Sequence, residues 1–215
     1  MVAMADILAR ARPVLPVLVI DQPAQAAPLA RALLQGGLDV LEVTLRTAQA
    51  LEAIRLIRHA LPEVVVGAGT ICTAEQLRQA QQAGAQFAVS PGFSAQLAQA
   101  AQEQGLPWLP GVMTPSDVLQ AQEWGYRQLK LFPAGGVRGL ELLDSLAGPF
   151  PDVHFCPTGG INSANLSDFL QRPNVICCGG SWLAPQALVA AQNWVAISEL
   201  AQQAHVLPNH GVVPA

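Results

Sequence analysis

Short apolar runs alternate along this chain with longer stretches rich in Ala, Leu and Gln. The runs cover Val14–Ile20, Val40–Leu45, Val64–Ala68, Phe87–Ser90, Trp108–Gly111, Gln128–Phe132, Val153–Pro157 and Val175–Cys178. Between them lie segments with helical periodicity, such as Pro23–Gln35, Ala48–Ala60, Thr73–Ala83, Ser94–Gln104 and Pro115–Trp124. Gly36-Gly37, Gly84, Gly105 and Gly125 fall where such helices would close, in positions suited to C-terminal caps. Two more helices are expected, Met4–Ala11 ahead of the first strand and Trp194–Ala204 after the last unit. Strand then helix, repeated eight times, predicts parallel strands with crossover helices. The leading fold is therefore an α/β (β/α)8 TIM barrel, with an open doubly wound sheet as the runner-up. A spacing of roughly 20–25 residues per unit leaves no room for a second domain, so residues 1–215 are expected to form one. The tail, from about residue 206 to 215, is expected to be flexible.

Composition narrows the partners. Of 215 residues, 51% are apolar and only 12% charged. So apolar a surface hints at a buried interface between subunits. The formal charge of −4 and the lack of a basic cluster argue against nucleic acid. The apolar runs are too short to span a membrane, and the first dozen residues lack the pattern of a secretion signal. Four cysteines (Cys72, Cys156, Cys177 and Cys178) form no CxxC pair and read as buried free thiols in a reducing cytoplasm. The histidines show no metal-ligand spacing, and a structural role is expected for His154. No metal or cofactor is implied.

One basic residue stands apart. Lys130 is the only lysine; the other ten cations are arginine. It lies in Arg127-Gln128-Leu129-Lys130-Leu131-Phe132-Pro133, an apolar strand where an ammonium is unwelcome. An amine, unlike a guanidinium, can shed its proton and attack a carbonyl.

Other polar residues gather at strand ends, where barrels of this kind keep their chemistry. In Glu42-Val43-Thr44-Leu45-Arg46 the side chains alternate. Glu42, Thr44 and Arg46 are expected to line the mouth, and Leu41, Val43 and Leu45 to pack on helices. A plain Glu–Arg ion pair is the competing reading. Gly69-Thr70 ends the third strand, and the glycine allows close approach beside a rim hydroxyl. Strands seven and eight run into Thr158-Gly159-Gly160 and Gly179-Gly180-Ser181. Paired glycine-rich turns there fit a phosphate site, where backbone N–H groups converge. Amine, carboxylate, guanidinium, hydroxyl and phosphate cradle together fit a 2-oxo acid carrying a distal phosphate.

On these segments the chain resembles the 2-keto-3-deoxy-6-phosphogluconate (KDPG) and 4-hydroxy-2-oxoglutarate aldolase family. The shared stretches are Leu41–Thr47, Val66–Thr70, Val89–Gly92, Lys130–Ala134, Phe155–Ile161 and Gly179–Trp182. The resemblance runs from about residue 14 to 205. It implies a metal-free class I aldolase of the Entner–Doudoroff pathway, usually a cytoplasmic homotrimer. It matches Lys130 to the Schiff-base lysine and Glu42 to the general acid–base. Arg46 and Thr70 match contacts to the pyruvate carboxylate. Thr158 begins the turn whose Gly159 and Gly160, with Gly180 and Ser181, match the phosphate site. Pro91 and Phe132 match pocket-lining positions. One departure falls after Ala134, where about three residues common in the family are missing before Gly135-Gly136. Two alternatives are carried: a sister aldolase acting on 4-hydroxy-2-oxoglutarate or a C4-epimeric substrate, and a non-catalytic barrel that binds phosphorylated acids. A metal-dependent aldolase is disfavoured by the missing His/carboxylate cluster.

Overall fold

The computed structural model describes residues 2–136 and 138–207. The strands are β1 (Val14–Leu18), β2 (Val40–Thr44), β3 (Val65–Gly69), β4 (Ala88–Val89), β5 (Trp108–Leu109), β6 (Gly111–Val112), β7 (Gln128–Leu131), β8 (His154–Pro157) and β9 (Cys178–Gly180). The helices are α1 (Met4–Arg10), α2 (Ala26–Gln35), α3 (Ala50–Ala60), α4 (Ala74–Gln82), α5 (Ala95–Gln104), α6 (Pro115–Glu123), α7 (Gly139–Ala147), α8 (Leu166–Leu170), α9 (Gln186–Ala190) and α10 (Trp194–His205). A 3-10 turn, Pro23–Gln25, leads into α2. None of the described helices is long and apolar enough to cross a membrane. The tail expected to be flexible lies, from residue 208, outside the described residues.

The strands form an α/β fold with parallel pairing throughout. One sheet runs β5-β4-β3-β2-β1-β9 and another β6-β7-β8. Their two junctions are close. Only Pro110 separates β5 from β6, because proline has no N–H to give a ladder; its carbonyl still accepts from Lys130 N. On the other side β8 meets the chain around β9 through Phe155–Val175 and Thr158–Gly179 bridges.

Alternation sets the two faces of each strand. Leu41, Val43, Val66 and Ala68 pack with Leu29 and Leu33 of α2 and Ile54 and Ile57 of α3. Leu129, Leu131 and Phe155 pack with Val118, Leu143 and Phe169 from α6, α7 and α8. The other strand face carries Leu15, Val40, Phe87, Val89, Leu109 and Cys156, joined by Met4, Ile7 and Leu8 of α1. Helix α1 thus covers the strand starts, and each large side chain buried there contributes about 1.5–3 kcal/mol. Glu42 and Lys130 fall in phase with this inner set.

Local signals explain the helix ends. Thr73 and Thr114 cap α4 and α6 through capping boxes completed by Gln76 and Asp117. Gly105 closes α5 in the left-handed conformation. The expected boundaries move modestly. Ser94 and Thr73 are caps rather than helical residues. The last strand begins at Cys178 rather than Val175, whose pairing is a single bridge.

Cys156, Cys177 and Cys178 are buried as expected, whereas Cys72 is exposed because it falls in the turn between β3 and α4 rather than on a strand. The Cys177 thiol donates to the Cys156 sulfur at 3.7 Å. That bond and complete burial hold it well above the ordinary thiol range, and burial does the same for Cys178. Raised thiols stay protonated and unreactive. Iodoacetamide is therefore expected to alkylate the folded protein at Cys72 and spare the other three, which react after denaturation; peptide mass mapping reads the difference.

Candidate active site

Beyond the strand ends lies a cavity of about 280 Å³, lined by Val17, Arg46, Lys130, Phe132, Thr158, Gly159, Gly160, Ile161, Gly179 and Ser181. A larger hollow of about 420 Å³ lies beside α1, among Val2, Ile7, Arg10, Val65 and Leu106. Its lining is chiefly apolar and it faces the strand starts, away from Lys130. The smaller cavity holds the reactive groups.

Strand β7 delivers Lys130 between Gly111 of β6 and Cys156 of β8. Small neighbours on both sides leave the long side chain room to stand up from the strand. Lys130 is only 6% exposed. Its Nζ lies 3.6 Å from Glu42 Oε1 and 5.3 Å from the centre of the Phe132 ring. The first distance is an ion-pair contact longer than a good hydrogen bond, and the second brings the cation within reach of the ring's π face. Glu42 is 1% exposed, and its Oε1 has no hydrogen-bond partner among the described residues. The competing Glu42–Arg46 ion pair is not what forms: the partner of Glu42 is Lys130.

Arg46 stands exposed at the mouth, just past β2. Threonines on either side fix it: Thr44 Oγ1 donates to Leu18 O at 2.8 Å, and Thr47 Oγ1 to Ile20 O at 2.6 Å. Thr44 was expected in the mouth-lining set. It is instead fully buried, its hydroxyl spent on β1 because a buried hydroxyl needs a partner.

The turn after β8 is tied down on its carbonyl side. Ala134 N donates to Thr158 O at 2.9 Å, Gly135 N to Gly159 O at 2.7 Å, and Asn165 Nδ2 to Gly160 O at 3.0 Å. The N–H groups of Gly160 and Ile161 donate to no backbone carbonyl among the described residues. Gly159 and Gly160 have φ of +91° and +73°, the left-handed region that glycine enters freely.

The other expected site residues are placed less directly. Thr70 follows β3 with φ +61°, a strained setting for a β-branched residue, and does not line the cavity. Pro91 is also outside the lining; its carbonyl packs against Gly111. Ser90 Oγ steadies this corner by donating to Gly92 O at 2.7 Å. Gly180 is turned to the Trp182 ring, while Gly179 faces the Thr158 hydroxyl and lines the cavity. His154 sits at the start of β8, far along the strand from Thr158. Val17 and Ile161 are lining residues that sequence reasoning missed; Gly179, expected in the second glycine-rich turn, lines the cavity as well. Alternation from Leu15, with Val17 opposite Glu42 in register, was the signal for Val17. Among the described residues no three His, Cys, Asp or Glu side chains gather to hold a metal ion.

Three comparisons bear on this site. The family model of KDPG and KHG aldolases matches residues 5–200. The 2-dehydro-3-deoxy-phosphogluconate aldolase of Pseudoalteromonas atlantica is 47% identical over 192 residues, covering 89% of each chain. The KDPG aldolase of Legionella pneumophila, with pyruvate captured at low pH as a covalent carbinolamine intermediate, superposes with a TM-score of 0.92. That pair is 42% identical, with 94% of this chain and 98% of the other covered. The aldolase of Zymomonas mobilis with 3-phosphoglycerate gives a TM-score of 0.89 at 45% identity, covering 96% and 97%.

The turn conformation can be tested apart from any chemistry. Gly160→Ala is expected to lower stability by about 1–2 kcal/mol, the cost of a left-handed L-residue. Gly148→Ala, with φ −67° and open space where the methyl would go, is expected to be neutral or slightly stabilising. Denaturant unfolding of both variants makes the comparison.

Proposed function

We propose that this chain, which belongs to the KDPG and KHG aldolase family, is a class I aldolase that cleaves 2-keto-3-deoxy-6-phosphogluconate to pyruvate and glyceraldehyde 3-phosphate. The observation that carries the reading is the sole lysine, buried in the cavity and facing a buried carboxylate at 3.6 Å. The captured carbinolamine of the Legionella relative supports an amine nucleophile.

Lys130 Nζ, as the free amine, attacks the C2 ketone of the substrate. The carbinolamine loses water and becomes an iminium. Glu42 takes the proton of the C4 hydroxyl, the C3–C4 bond breaks, and its electron pair flows into the iminium to give an enamine. Glyceraldehyde 3-phosphate leaves. The enamine carbon takes a proton back, and water hydrolyses the resulting iminium to pyruvate and the free lysine. The apolar lining of Val17, Phe132 and Ile161 keeps bulk water from the intermediate.

Arg46 grips the C1 carboxylate through two guanidinium N–H groups, assisted by Thr70. Thr158, Gly159, Gly160 and Ser181 form the phosphate end, with Gly179 lining it and Gly180 set behind it against the Trp182 ring. Free N–H groups at Gly160 and the following Ile161 support that role. Pro91 shapes the pocket from behind Gly111.

The fold we infer is a single-domain, closed (β/α)8 barrel. The Pro110–Lys130 bond and the β8–β9 bridges support closure, since with them each strand has a neighbour on both sides. We further infer a cytoplasmic homotrimer, in keeping with the apolar composition; its mass in solution would be three times 22.6 kDa.

Borohydride with pyruvate is expected to fix one three-carbon unit on the peptide containing Lys130. Label on the N-terminal amine, or full activity in Lys130→Arg, would refute the assignment. Glu42→Gln is expected to keep trapping and slow cleavage by about 10²–10⁴-fold. Arg46→Ala should chiefly weaken binding of 2-oxo acids. Gly160→Val should harm cleavage of the phosphorylated aldol far more than proton exchange at the pyruvate methyl. Equal turnover of 4-hydroxy-2-oxoglutarate and the phosphorylated substrate would favour the sister activity that shares the family.

A further inference from the structure

Gly159 and Gly160 are explained by their backbone. Gly69 is not. It ends β3 in a conformation open to any residue, pairs with Thr44, and accepts the Leu45 N–H at 2.8 Å. Its reason lies in the space beside it. A Cβ at Gly69 would fall on Glu42 Oε1, and 2.6 Å and 2.7 Å from Cδ and Cγ of the same side chain. Carbon atoms in contact sit about 3.5–4.0 Å apart, so the side chain and the methyl cannot share the place.

Three observations meet on one atom. Oε1 is the oxygen 3.6 Å from Lys130, the oxygen without a hydrogen-bond partner, and the oxygen that a Cβ at position 69 would displace. The register explains the geometry. Glu42 stands opposite Gly67, and its side chain leans along the strand to lie over Gly69. It cannot lean over Gly67, because the Phe87 ring fills the space there. The backbone of Gly69 is held by β2, and Ala68 and Ile71 on either side of it donate to Phe87 O and Val89 O, so the carboxylate is the group that would have to move.

We propose that Gly69 is a positioning residue for the aldol chemistry. The absent side chain leaves the slot that points the Glu42 carboxylate at the amine. This rests on the acid–base role of Glu42, and the experiment separates the two. Three variants are made: Gly69→Ala, Glu42→Ala and the pair together. Each is read by cleavage kinetics, borohydride trapping with pyruvate, and thermal unfolding.

Gly69→Ala is expected to lower kcat by about 10²-fold or more, with KM little changed and trapping retained, within the range for a lost acid–base group. In the Glu42→Ala background the same methyl is expected to cost less than about 2-fold, because the group it displaces is gone. Any loss in unfolding temperature caused by the methyl in the parent should shrink in that background. If Gly69→Ala fails to fold but the pair folds, the collision with Glu42 is the cause and the proposal stands. Near-parent turnover of Gly69→Ala, with Glu42→Ala strongly impaired, would overturn the role of Gly69 and leave that of Glu42. Equal losses in both backgrounds, or failure of the pair to fold when Glu42→Ala folds, would make Gly69 merely structural. Normal turnover of Glu42→Ala would overturn the reading of Glu42 itself.

Discussion

A buried amine facing a buried carboxylate at 3.6 Å is the constraint on which the rest of the molecule depends. The two residues come from distant strands. In the order of pairing, β1, β9 and β8 stand between β2 and β7. They meet only because the strand faces away from the helices turn toward one another. Such a pair is expensive to bury unless its geometry is held closely. The surroundings provide that: Gly111 and Cys156 flank the lysine, Gly69 makes room for the carboxylate, and Thr44 ties β2 to β1.

Much of this was legible in the chain. The uniqueness of Lys130 and the alternation around Glu42 needed no structure, because strand periodicity alone puts the two on the face opposite the helices. The run of strands was equally plain. What escaped has physical causes. Pro110 splits one expected strand into β5 and β6, since its ring removes a donor while the chain continues straight. Helices α8 and α9 have five residues each, too few for a period of 3.6 to show. Thr44 looks like a mouth residue by phase, but its hydroxyl found a carbonyl on β1. Val17 looks like ordinary core in an all-apolar strand, and only its register opposite Glu42 reveals that it lines the cavity. Gly179 and Gly180 are interchangeable in sequence; the position of the Trp182 ring decides which one faces inward.

The chain after the catalytic strand takes a specific course. Instead of wandering over the cavity, the chain past Pro133 continues beside the next strand's turn, through the Ala134–Thr158 and Gly135–Gly159 bonds. Gly135 lies so near Gly160 that a Cβ there would come within 2.6 Å of the Gly160 carbonyl carbon. The loop and the glycine turn form one unit, so the conformation at Gly159 and Gly160 is held from outside while their inner side stays free.

Strain and unsatisfied polarity are distributed unevenly along the strands. The strand starts are regular: Leu15, Val40, Phe87 and the apolar face of α1 close against one another. The strand ends hold Thr70 at φ +61°, the glycine turn at positive φ, and a Glu42 oxygen that accepts no hydrogen bond among the described residues. A buried acceptor without a donor costs about 1–3 kcal/mol, and a strained backbone residue a similar amount. Such costs persist only where well-packed structure over-determines the site, and the closely packed inner cluster beneath the cavity supplies it. At Glu42 that packing holds the carboxylate against the amine, with Oε1 3.6 Å from Lys130 Nζ.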